Sequence, residues 1–334
     1  VARSPRHDCS PPPSCAASAH PTSDGETSMT APAQTSPVQL RHCSVGANPI
    51  IWSNDDFAEL SGDVPLETIL REMKAAGYAG TELGHAYPRN SELTQILGRH
   101  QLQLVSGWHS THLASAEIDA EEHAFRHHLD LLKKLGARVA IVAECTRCIH
   151  GTRDAPLGFG DNAQPRLTPS EWPRLASGLT RLAQIAGAAE MKIVYHHHMG
   201  TVIQNEVDLE RLLSAVPEVW LLLDPGHLAF AGIDPVAFAH RYSRRIAHVH
   251  LKSLRSEIAA RARREGWSFH RAVSAGVFTI PGDGCVDFPA IFEILADADY
   301  RGWLVVEAEE DPAKVPALPK ARAAREYVRL HAGA

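Results

Sequence analysis

Four apolar runs in the second half of the chain end in side chains that bind metals or move protons: His196 to His198 after KIVY, Asp224 after WLLL, His248 and His250 within AHVHLK, and Glu307 after WLVV. Neutral imidazoles and carboxylates are ligands for Mn²⁺, Co²⁺, Fe²⁺ or Zn²⁺, and no thiolate is required. Side chains two apart on a strand share a face, which groups His248 with His250 and sets His196 and His198 together against His197. A lone His or Asp at a strand end usually serves as a hydrogen-bonded cap. Two carboxylates and several imidazoles buried together are costly without a cation, so we expect His196, Asp224, His250 and Glu307 to form a metal shell. A cation there can act as a Lewis acid, and proton transfer beside it needs an acid and a base. Candidate acid/base residues are Glu144, which ends ARVAIVA, His227 in DPGH, and Lys252, on the strand face of His250. Glu144 reads equally as a carboxylate that orients a ligand, and Lys252 as the partner of a nearby carboxylate. Asn48, Trp52, Asn54 and Glu82, with His198 and His248, are the expected contacts to substrate hydroxyls, although Trp52 reads equally as packing.

Strand ends converge on one point only in a suitable scaffold. From residue 40 onward, short apolar runs alternate with segments of helical period, the pattern of an α/β protein with a parallel sheet. The runs are HCSVGANPI, GTELG, LQLVSGW, ARVAIVA, KIVYHHH, VWLLLDPGH, IAHVHLK and GWLVVEAE. Eight strand–helix pairs predict a (β/α)₈ TIM barrel, in which catalytic groups project from the carboxyl ends of the strands. Two long connections, 145–167 and 253–286, are expected over the barrel mouth. A doubly wound nucleotide-binding sheet would want a Gly-rich loop after the first strand, where this chain has NPIIWSND.

The chain has 334 residues, 44% hydrophobic and 22% charged, with a formal charge of −6. That balance argues against binding a phosphate backbone and for a small-molecule partner. Six cysteines at irregular spacing do not make a disulfide framework, which points to a reducing compartment and a cytoplasmic location. Cys145 and Cys148 form a C-x-x-C pair with no second pair at zinc spacing, and are read as ordinary loop thiols. Residues 1–38, rich in Pro, Ser, Ala and Thr, are expected to form a disordered tail before a catalytic domain at 39–334. No apolar run supports a secretory signal or membrane span. A homo-oligomer is left open.

The stretches NPIIWSNDD, AGYAGTELG, AECTRCIHG, MKIVYHHHMGT, DPGHLAFAG, RIAHVHLKS, AVSAGVFTIPGDG and YRGWLVVEAEEDPAK resemble the inosose dehydratase family in order and spacing, over nearly all of residues 45–315. The resemblance implies a xylose-isomerase-like barrel with a divalent metal at the ends of its fifth to eighth strands. His196 stands where most relatives of that superfamily place a Glu, and the choice between His196 and His198 as ligand stays open. The resemblance also implies Mn²⁺ or Co²⁺ as cofactor and an association with glutathione. The implied reaction is loss of water from scyllo-inosose, a keto-polyol of inositol catabolism, to give a trihydroxycyclohexane-1,2-dione. His227, in a D-x-x-H shared with related barrels, would contact substrate. The nearest alternative is a metal-dependent ketose isomerase or epimerase. A barrel nuclease would need a trinuclear cluster and a basic groove, and a sugar-binding module would not need the metal residues.

Overall fold

Strands that read VAIVAE or IAHVHL are apolar on both faces, and such strands are stable only where both faces are covered, as in a parallel barrel ringed by helices. The computed structural model describes residues 39–54, 57, 60 and 64–334, so the tail expected at 1–38 lies outside the described residues. Seven barrel strands come in order: β1 (Ser44–Ala47), β2 (Gly80–Leu83), β3 (Gln103–Thr111), β4 (Val139–Glu144), β5 (Lys192–Tyr195), β6 (Trp220–Leu223) and β7 (Ile246–Leu251). Two short strands, β8 (Ser253–Leu254) and β9 (Phe278–Thr279), pair antiparallel outside the barrel, and β10 (Trp303–Val306) closes it between β7 and β1. The result is a closed eight-stranded parallel barrel, as the eight-run pattern predicts.

The helices bury one stripe each. In Ile118–Lys134, Phe125, Leu129 and Leu132 recur at spacings of four and three, and Asp119 and Lys133 sit at the ends where the helix dipole favours their charges. A second buried cluster lies apart from the main core: Leu157, Met199, Phe230, Leu254, Trp267, Phe269 and Phe278 are among its members. Its residues come largely from the two long connections, which are tied together. The Leu157 N–H donates to the Trp267 carbonyl (3.2 Å), and Pro156 bridges Ser268. The connections therefore form one packed wall, containing the helices Ser256–Glu265 and Phe269–Ser274.

His109 on β3 and His128 on the following helix lie with ring centroids 5.2 Å apart, and His128 Nε2 faces the Gly107 carbonyl at 3.2 Å. Burial, with the neighbouring ring adding for His109, holds each imidazole down to about 4. The unfolded chain, with histidine near 6.5, then binds more protons than the folded one. Stability is complete above pH 6.5 and is lost as pH falls toward 4. Urea unfolding at pH 7.5 and pH 5 should show a loss of about 2 kcal/mol per histidine. His128→Gln, which keeps a donor for Gly107 and does not titrate, should have a shallower pH slope; an unchanged slope would contradict the assignment.

Candidate active site

β7 places His248 and His250 on one side, and both rings meet Glu82 of β2: His248 Nε2 at 2.7 Å and His250 Nε2 at 3.2 Å. Asn48 Nδ2 donates to the same carboxylate at 2.7 Å and Ser106 Oγ at 2.6 Å. Burial acts to raise the Glu82 pKa, but the two imidazoles hold it well below the ordinary carboxylate range. Glu82 is thus engaged at both oxygens and fixes the tilt of His250, leaving that ring's Nδ1 to face the barrel mouth.

Nδ1 of His250 lies 3.6 Å from Asp224 Oδ2 and in close contact with Glu307. His196 uses its own Nδ1 toward the His197 carbonyl (2.6 Å), which turns its Nε2 to within 3.5 Å of Asp224 Oδ2. One donor atom from each of His196, Asp224, His250 and Glu307 lies within 4.8 Å of the others. First-row cations with bonds of roughly 2.0–2.2 Å hold neighbouring ligand atoms about 3–3.5 Å apart, so this spacing needs little adjustment. Asp224 Oδ2, His250 Nδ1 and Glu307 Oε2 are buried and turned toward one another, with His196 and Lys252 beside Asp224 Oδ2, as atoms grouped around a cation would be. Asp224 Oδ1 is used otherwise, capping the helix Pro225–Ala231 by accepting from the His227 N–H (2.9 Å).

Charge leads to the same fit. Glu82, Asp224, Glu307 and Glu309 are all nearly inaccessible to solvent, and Lys252 is the ammonium buried among them. Its Nζ lies 2.6 Å from Glu307 Oε1 and 3.5 Å from Asp224 Oδ2, in close contact with Glu309, and 3.0 Å from His227 Nε2. Burial opposes the ammonium, but Asp224, Glu307 and Glu309 hold it well above its ordinary value. In the same way, burial opposes a charged His250 ring, which Glu307 and Glu82 nevertheless keep protonated well above the usual range. A proton held there against burial marks a place for positive charge. The Lys252 stem reaches this position by passing over Gly226, where a Cβ would lie 2.7 Å from Lys252 Cγ.

The structure brings together His196, Asp224, His250, Glu307, Lys252 and His227, and sets Asn48, Glu82 and His198 beside them in the wall of one cavity or in contact with it. It does not bring in three other expected residues. Trp52 is buried and donates its Nε1–H to Glu72 (2.7 Å), and Asn54 Oδ1 accepts from the Phe57 N–H (3.0 Å). Neither lines the cavity. Glu144 is a further correction: its carboxylate accepts from the Thr111 hydroxyl (2.9 Å), the Leu113 N–H (2.9 Å), the Ala114 N–H (3.3 Å), and the Thr146 N–H (3.3 Å) and hydroxyl. Burial pushes its pKa up against the pull of those donors. A carboxylate so occupied ties down the loop after β3 and is not available to substrate. Glu144→Ala should cost about 3 kcal/mol in urea unfolding, because several buried donors lose their acceptor, and should change turnover of the folded fraction by less than about tenfold. A larger loss of turnover at unchanged stability would return Glu144 to the chemistry.

His248 is fully buried against Glu82 and outside the cavity wall, so it reaches substrate only through that carboxylate. The run KIVYHHH is shorter as a strand than expected. β5 ends at Tyr195, although the His196 N–H still donates to the Val142 carbonyl (2.9 Å) of β4; all three histidines are buried, and His196 and His198 line the cavity while His197 does not, the sorting that alternation predicts. The cavity, about 330 Å³, is also lined by His85, Arg89, Trp108, Ser110, His150 and Glu309. Of these, Glu309 was legible: it lies two residues after Glu307, on the same side of an extended segment. His85, Arg89 and His150 sit in loops, which carry no periodic signal.

A closed parallel barrel with two imidazoles and two carboxylates gathered at its mouth defines the class, and the chain belongs to the xylose isomerase-like TIM barrels, whose family model matches residues 70–331. It is 44% identical over 297 residues to the rhizopine catabolism protein MocC of Rhizobium meliloti, covering 88% of this chain and 90% of that one. It is 43% identical over 292 residues to the inosose dehydratase of Geobacillus thermodenitrificans, covering 86% and 97%. Within the barrel family this is a hydro-lyase of the inosose dehydratase group. Among solved structures, D-allulose 3-epimerase from Methylomonas sp. shares the fold, with a TM-score of 0.61 at 18% identity, over 89% of this chain and all of that one.

Proposed function

We propose that the chain removes water from scyllo-inosose to give a trihydroxycyclohexane-1,2-dione, as a step of inositol catabolism, with a divalent cation, Mn²⁺ or Co²⁺, held by His196, Asp224, His250 and Glu307. The observation that carries the reading is the convergence of one donor atom each from His196, Asp224, His250 and Glu307 within 4.8 Å of one another, beside a cavity sized for one sugar-like ring that His196, His250 and Glu307 line. When bound, the cation supplies Lewis-acid polarisation of the substrate ketone. The protein supplies the rest. Asn48, Ser110 and Arg89 in the wall hydrogen-bond ring hydroxyls and fix which carbon faces the acidic end. Glu309 lines the cavity and is held by Lys252, which places a carboxylate where the proton α to the ketone leaves. His198 lines the same wall with its Nδ1–H donated to the Met199 carbonyl (2.8 Å), and burial holds the ring neutral, so its Nε2 is an acceptor that orients a substrate hydroxyl. His227 lies beneath, its ring centroid 4.1 Å from that of His198, and packs between it and Lys252. His227 and Lys252 therefore act by positioning, and the proton transfers are assigned to Glu309, which takes the α proton and returns it to the departing β-hydroxyl as water leaves. The wall built from the two long connections keeps bulk water from the enolised ring.

An isomerase or epimerase would use the same cavity without expelling the hydroxyl. Incubating metal-loaded protein with scyllo-inosose and following the products by NMR separates the outcomes: the dione with its ultraviolet absorbance supports the proposal. A rearranged ketone, or unchanged inosose with both Mn²⁺ and Co²⁺, overturns it.

A further inference from the structure

Cys145 and Cys148 follow β4 directly, and the described cysteines all carry free thiols. The Cys148 N–H donates to the Cys145 carbonyl (3.0 Å) in a tight turn that passes through Arg147 at φ 56°. The turn brings the two thiols into each other's influence, with the Cys148 sulfur as acceptor toward Cys145 and then the His150 ring. Cys145 is buried and Cys148 only half-buried, so one sulfur is reachable and the other waits behind it. His150 connects this pair to the cavity. It lines the wall, its ring centroid is 5.0 Å from that of His198, and the Ile149 N–H beside it donates to the Gly200 carbonyl (2.8 Å). The approach leaves no slack: Gly200 has φ 80°, and a Cβ there would lie 2.8 Å from the His150 backbone nitrogen.

We propose that Cys145 and Cys148 form a thiol–disulfide exchange site for low-molecular-weight disulfides, and that closing their disulfide draws His150 out of register with the cavity wall. The hydrogen bond from Cys145, and then that from His150, pull the Cys148 thiol down to about 4, while the first of these bonds and burial push Cys145 up. Cys148 is thus the attacking thiolate and Cys145 the resolving thiol, the division of labour usual in C-x-x-C pairs. The Cys148 thiolate attacks a disulfide RSSR, forming a mixed disulfide and expelling RS⁻. Cys145 gives up its proton to that thiolate and attacks the Cys148 sulfur, releasing the second RS⁻, which is protonated by solvent. The net exchange takes two protein thiols, one of them ionised, and one disulfide to one protein disulfide and two small thiols. The link costs Cys148 its hydrogen bond to His150, two residues away and seated on the turn that carries His198.

The site itself does not depend on the proposed reaction, but its effect on turnover rests on that reading, so the experiment has two readouts. Full-length, Mn²⁺-loaded protein is treated with hydroxyethyl disulfide, then alkylated and mapped by peptide mass, with dehydration of scyllo-inosose followed in parallel. We expect the peptide spanning 145–148 to lose both alkylatable thiols and two hydrogens, turnover to fall roughly tenfold, and dithiothreitol to reverse both. Cys148→Ser and Cys145→Ser should abolish the internal link, and Cys148→Ser should make turnover insensitive to the reagent. Thiols at 145 and 148 that stay alkylatable overturn the site. A link that forms without change in turnover, or inhibition that persists in Cys148→Ser, overturns the coupling through His150. Protein inert toward inosose before oxidation indicts the dehydratase reading alone, because thiol mapping is still decisive.

Discussion

Asp224→Asn should abolish tight binding of Mn²⁺ and Co²⁺ and lower dehydration at least about 10³-fold, with only a small change in folding stability. The asparagine keeps an oxygen for the His227 N–H, so the helix cap at Pro225–Ala231 survives. What it loses is the anionic Oδ2, which lies 3.5 Å from His196 Nε2, 3.6 Å from His250 Nδ1 and 3.5 Å from Lys252 Nζ. Several kcal/mol of electrostatic stabilisation in a buried site correspond to that rate factor. Calorimetric titration with Mn²⁺ and turnover under saturating metal are the two measurements. The same pair decides between the neighbouring histidines: His196→Gln should lose metal, whereas His198→Gln should keep metal and lose turnover. Full metal affinity in both Asp224→Asn and His196→Gln would remove the centre from the place assigned to it.

Lys252→Met should lower stability by about 3–5 kcal/mol in the presence of chelator and reduce turnover at least about 10²-fold. The ammonium is fully buried against Glu307, Glu309 and Asp224, and it also stands 4.8 Å from the Phe278 ring centroid. Methionine fills a similar volume without charge, so the loss measures the carboxylates left facing one another. Because a cation at the neighbouring centre offsets part of that repulsion, added Mn²⁺ should recover more stability in the variant than in the parent. Equal stability of the two proteins in chelator would show that Lys252 does not neutralise the cluster. The comparison also separates positioning from proton transfer, since a purely chemical role would leave unfolding unaffected.

Much of this architecture was legible in the chain because a barrel converts a one-dimensional signal into a spatial one. Each apolar run read as a strand buried on both faces, and eight of them in alternation with helical stripes fit a closed sheet, which leaves no edges to satisfy. Residues ending the runs were therefore gathered at one mouth whatever the loops did, which is why Asp224, His250, Glu307 and Glu82 could be named in advance. The grouping of His248 with His250 followed from the two-residue period and is realised on Glu82.

What tertiary structure decided was the use of each polar group. His196 and His198 lie past the end of β5 and alternation groups both toward the cavity, but the orientation of each ring is set by a carbonyl bonded to its Nδ1. Glu144 and Glu309 are both acids at strand ends, yet one is filled by loop donors and the other opens to the cavity, because the loops that meet them come from distant parts of the chain. Sequence determines which side chains a strand carries to the mouth; the partners waiting there depend on packing between segments far apart in the chain, and no local period encodes that.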